Sequence, residues 1–125
     1  MNRNLVKCAP LIGRVFISLV FIVAGVGKIT GFDGTVGFIQ SFGLPFATLL
    51  AMVAIIIEVV GGLMLLTGFK TRSVATILII FTALASIIFH IGEGEINVFL
   101  KNLAIIGGLI MVLAHGPGNY CVDRR

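Results

Sequence analysis

Charge is scarce in this sequence: Asp, Glu, Lys and Arg make up 11% of the 125 residues, against about 25% in an average soluble domain. With 58% hydrophobic residues and a mean hydropathy of +1.18, the chain cannot cover a water-facing surface, so lipid must solvate much of it. Tryptophan is absent and there is one tyrosine, which removes the usual aromatic belt at the membrane boundary. The two cysteines, Cys8 and Cys121, sit at opposite ends, form no CxxC pair and have no histidine at zinc-site spacing. Cys8 lacks the small residues that precede a lipoprotein cysteine, and the closing CVDRR is not a prenylation box. No phosphate loop, HExxH or nucleophile elbow occurs, so the sequence names no catalytic residue and no metal ligand. The net charge of +4 comes without a basic run or an aromatic-interleaved patch, which excludes nucleic acid as a partner.

What is present is four apolar runs, at roughly residues 9–29, 46–68, 73–91 and 98–115. Each approaches the ~20 residues that carry a helix across a ~30 Å hydrocarbon core. They must be helices, because a lone strand leaves its backbone polar groups unsatisfied in lipid. The expected fold is an all-α, integral-membrane four-helix bundle in a single domain, 1–125. Arg3 and Lys7 precede the first run as in a signal peptide, but Arg14 interrupts it and no small-x-small cleavage site follows, so it is read as a retained span.

Between the first two spans, the segment 31–45 is too short to cross. Asp33 can cap a brief helix that Gly43 and Pro45 end, with Phe32, Val36, Ile39 and Phe42 on one face, as in a helix lying in the interface. An irregular loop with dipped phenylalanines is the plainer alternative. Lys and Arg set the orientation: Arg3, Lys7, Lys70, Arg72, Arg124 and Arg125 all belong to one side, which predicts that both termini are cytoplasmic.

Helical phase gives each span a small-and-polar stripe. The stripes are Arg14, Ser18, Gly25 and Lys28; Ala51, Ala54, Glu58 and Gly62; Ala83, Ser86 and His90; and Lys101, Gly108 and His115. Small residues allow close backbone approach, so these stripes are expected to meet in the bundle centre. Counting depth from the run boundaries makes Arg14 and Glu58 an intramembrane ion pair, serving either as structural glue or as a carboxylate that handles protons. Lys28, His90, Lys101 and Asn102 gather near the outer face as the candidate ligand-binding cluster. That cluster is either a set of snorkelling anchors or a polar pocket for a quinone head group or small anion.

From GRVFISLVFIVAGVGKITGFDG through SFGLP, EVVGG and GFKTR to FLKNLAIIGG and GPGNYCVDRR, the chain resembles the DoxX family of small bacterial four-helix inner-membrane proteins. The resemblance covers nearly the whole chain, and Arg14, Lys28, Glu58, Lys101 and Asn102 match the family's polar motif positions. It implies the bacterial inner membrane and a link to redox metabolism, since relatives include a subunit of thiosulfate:quinone oxidoreductase. Two functions stand on that basis: a non-catalytic membrane subunit or small-molecule-binding module, or a quinone-reactive subunit of a membrane oxidoreductase. The distant cysteines depart from a self-contained redox protein, so electron transfer would need a bound cofactor, with quinone the candidate, or a partner. The implied partners are the lipid bilayer and either a membrane redox complex or a second copy of the chain.

Overall fold

The computed structural model describes residues 3–118 and builds them from five helices: α1 (Arg3–Thr30), α2 (Phe32–Ser41), α3 (Ala47–Thr67), α4 (Thr71–Phe89) and α5 (Ile96–His115). Four of these, all but α2, are long and apolar enough to cross a membrane. The four spans and the intervening short helix are therefore as expected, and the loop alternative for 31–45 is set aside. The boundaries shift: α1 begins six residues before its apolar run, and α4 stops at Phe89 with His90 as its C-cap. Hydropathy marks where lipid begins, whereas a helix ends where its backbone finds other partners.

Those partners are local. At the end of α3, Gly68 adopts φ +77°, and the Gly68 and Phe69 amides donate to the Leu65 and Met64 carbonyls, closing the helix with a left-handed turn. Between α1 and α2 the ladder barely breaks: Gly31 donates to the Gly27 carbonyl and accepts from the Thr35 amide. Gly43 (φ +75°) and Pro45 then stop α2 and turn the chain into α3.

The spans form a ring in which α1 packs closely on α3 and α4 closely on α5, joined by lighter α3–α4 and α1–α5 seams. Two glycines set the α1–α3 register. A Cβ on Gly25 would lie 2.5 Å from Val59 Cγ2 and 3.2 Å from the Val59 amide nitrogen. One on Gly62 would lie 2.7 Å from Ile22 Cγ1. The core gathers Phe21, Leu65, Val74, Ala75, Leu78 and Leu109, while Ile39 of α2 covers Ala47 and Ala51. Outside it, residues such as Phe16, Val23, Ile56, Ile80 and Met111 are more than half exposed, the pattern of a surface solvated by lipid.

Not every stripe turns inward as expected. Arg14, Ser18, Gly25, Ala51, Glu58, Gly62 and Ser86 are buried. On α5, however, Leu109 is the buried residue, and Lys101 and His115 of the proposed stripe are exposed. With α5 held mainly by α4, the angle of that one contact decides which face is covered. A periodicity count on α5 alone carries no such information.

Candidate ligand-binding site

α2 and the α4–α5 connection lie at one end of the bundle, called here the α2 end; the start of α1 and the α3–α4 turn lie at the other. The expected Arg14–Glu58 ion pair does not form. Glu58 takes Lys28 instead, with Nζ 2.8 Å from Oε1 and 3.1 Å from Oε2. The carboxylate is 4% exposed, and the lysine, on the last turn of α1, is 32% exposed. Arg14 Nη1 donates to the Leu65 and Leu66 carbonyls at 3.0 and 3.2 Å.

The reason is register. Gly25 seats against Glu58 and Val59, which puts Lys28 one turn beyond Glu58's level and leaves Arg14 beside Leu65. Leu65 lies seven residues from Glu58, about 10 Å along α3, too far for a direct pair. Depth counted from hydropathy boundaries missed this, because α1 extends well past its apolar run. Two small residues on facing stripes, Gly25 and Gly62, were the available signal.

The proposed outer cluster separates into three parts. Lys28 belongs to the α1–α3 lock. Asn102 on α5 donates through Nδ2 to Ser86 Oγ of α4 at 2.8 Å, and Ser86 Oγ donates to the Thr82 carbonyl at 2.7 Å. His90 Nδ1 lies 3.0 Å from Glu95 Oε2. Lys101 is exposed. His90, Ile91, Gly92, Ile96 and Phe99 line a half-open concavity of about 290 Å³ between the end of α4 and the start of α5.

The last two parts are stacked. His90 lies four residues beyond Ser86 on α4, and Phe99 three residues before Asn102 on α5, so the Asn102–Ser86 bond lies one turn deeper than the concavity. Thr82, a further turn inward, carries a buried hydroxyl with no hydrogen-bond partner among the described residues. The concavity itself offers an imidazole among apolar walls, and the amide and two hydroxyls lie deeper between α4 and α5, outside its lining. Sequence reading passed over Ser86, Thr82, Glu95 and Phe99 as site residues, although the Ser86–His90 spacing of four was visible. Among the described residues no group of three or more His, Cys, Asp or Glu could hold a metal ion. Cys8 is a free thiol, and Cys121, Arg124 and Arg125 lie outside the described residues.

A model of the DoxX family matches residues 9–91, which takes in Arg14, Lys28 and Glu58 and ends just past His90. The chain belongs to the DoxX family. Curated relatives extend the likeness over α5. The Escherichia coli (strain K12) inner membrane protein YqjF is 41% identical, over 98% of this chain and 95% of its own length. The inner membrane protein YphA of the same organism is 36% identical, over 92% and 88%. The putative oxidoreductase CatD of Bacillus subtilis (strain 168) is 35% identical, over 90% and 89%. No solved structure matches the chain. This DoxX chain is thus a membrane protein, and its two Escherichia coli relatives carry inner-membrane names.

Proposed function

We propose that this DoxX chain is a non-catalytic small-molecule-binding module of the inner membrane that serves a redox partner, with its ligand held at the α4–α5 end. The observation that carries the reading is the stacking of the Asn102–Ser86 bond beneath the concavity at His90. Simple anchoring needs exposed cations such as Lys101; it has no use for an amide and a hydroxyl bonded across two helices. A quinone–quinol pair suits the site as a first probe, because quinone carbonyls can accept from the Asn102 amide, quinol hydroxyls can donate to His90, and the ring and tail are apolar. The test is binding of decylubiquinone and decylubiquinol to purified protein in nanodiscs. Asn102→Leu and His90→Phe should insert and fold like the parent while binding is lost. Variants that fold and bind unchanged would reduce the cluster to an anchor.

The name of the Bacillus relative favours a second reading, a quinone-reactive subunit of a membrane oxidoreductase. In that case a partner delivers the electrons, and co-purification from native membranes would bring a redox enzyme with the chain.

The orientation proposed with this reading puts the α3–α4 turn in the cytoplasm, because Arg3, Lys7, Lys70 and Arg72 share that end. On a background without native cysteines, Asp33→Cys and Gly94→Cys should react with an impermeant maleimide added from the periplasm, and Thr71→Cys should stay unlabelled. Labelling at position 71 alone would invert the molecule.

A further inference from the structure

The His90–Glu95 pair orients the imidazole that lines the concavity. A carboxylate only accepts hydrogen bonds, so the 3.0 Å contact to Glu95 Oε2 requires the proton to sit on His90 Nδ1. In the neutral imidazole that leaves Nε2 as an acceptor. It is the ring nitrogen left for an occupant of the concavity that His90 lines. Ile91, Ile96 and Phe99 make the remaining walls apolar. A volume of about 290 Å³ is at the small end of ligand sites, enough for one ring with a short substituent.

We propose that the concavity between α4 and α5 binds a hydroxyl-bearing aromatic ring of the phenol class, whose O–H donates to His90 Nε2, with Glu95 as the residue that positions the imidazole and sets its tautomer. This rests on the reading that the α4–α5 end binds a small molecule, and it adds the polarity of the recognition: the ligand donates and the protein accepts. Glu95 serves because it sits on the turn just before α5 and is itself partly buried, 36% exposed, against a histidine at 24%. An alkyl ether of the same ring offers no proton and loses the bond. So does a ketone.

The test compares 4-ethylphenol with 4-ethylanisole on the full chain in nanodiscs. The signal is the ¹⁵N shift of His90 Nε2, assigned with His90→Gln. The phenol should bind at least about fivefold more tightly than the ether, the worth of one neutral hydrogen bond. In Glu95→Gln the side-chain amide can donate to Nδ1, which frees the other tautomer. The preference should then fall towards parity, with a matching change in the two ring-nitrogen shifts that a purely structural role for Glu95 would not produce. Equal binding of phenol and ether by the parent overturns the inference and leaves the small-molecule reading standing. So does binding of decylubiquinone with no response to either ring compound. Silence from all three probes removes both. A Glu95→Leu variant, with no acceptor left for Nδ1, that keeps the parental preference refutes the positioning role.

Discussion

Replacing Lys28 with Met should cost this bundle more stability than replacing Glu58 with Gln, although each substitution removes one partner of the same ion pair. The Glu58 carboxylate is 4% exposed and both of its oxygens face Lys28 Nζ. Without the lysine, a charge stays buried with no counter-ion, a situation that typically costs about 3–5 kcal/mol. Lys28 is 32% exposed and ends α1, so in Glu58→Gln its long stem can swing the ammonium to the headgroup boundary. That loss should be about 1 kcal/mol. Equilibrium unfolding in bicelles measures both, and a double-mutant cycle should return a coupling energy well above zero. Equal costs, or additive ones, would show that the pair contributes little to holding α1 against α3.

The second large effect needs only a methyl group. Gly25→Ala should destabilise by about 1–3 kcal/mol, while Gly27→Ala, two residues away, should be neutral or mildly stabilising. A Cβ at Gly25 meets Val59 Cγ2 at 2.5 Å, and behind that side chain stand Glu58 Cβ and the Val59 backbone, both at 3.2 Å. The valine can rotate; the backbone cannot, so α1 must shift on α3. A Cβ at Gly27 meets nothing within 4 Å and only restricts the unfolded chain. The same unfolding assay compares the two. Matching behaviour would mean that the α1–α3 contact accommodates a methyl group without shifting. Gly25→Leu should go further and separate Lys28 from Glu58, because the glycine sets the level at which they meet.

The membrane architecture was legible because the bilayer imposes it: a run of about 20 apolar residues has few alternatives to a helix. The end of the helix 32–41 was legible for a similar reason, since Gly43 and Pro45 close a segment with one apolar face; its start was not, because Gly31 is the N-cap and Asp33, expected to cap it, lies inside the first turn without a capping bond. What could not be read was the relative sliding of helices. Pairing Arg14 with Glu58 was chemically sound and wrong by about two turns, because the contact level is decided where Gly25 and Gly62 let backbones touch. The outer cluster scatters for a second reason. Lys28, His90, Lys101 and Asn102 all lie toward the α2 end, but the turn of each helix about its own axis assigns them to different neighbours: Glu58, Glu95, lipid or water, and Ser86. Depth is a one-dimensional property of sequence, and azimuth emerges only from packing.

The α1–α3 lock also has a consequence for how the protein is made. Every group that Glu58 bonds, and every atom against which Gly25 and Gly62 close, lies in the first 62 residues of the chain. The Arg14 bonds to Leu65 and Leu66 follow a few residues later. Synthesis runs from the N-terminus, so the first pair of spans leaves the ribosome carrying both a buried carboxylate and its neutralising partner. Glu58 can enter the bilayer already compensated, and the α4–α5 half, where we place the ligand, arrives at a hairpin in which that carboxylate is already paired.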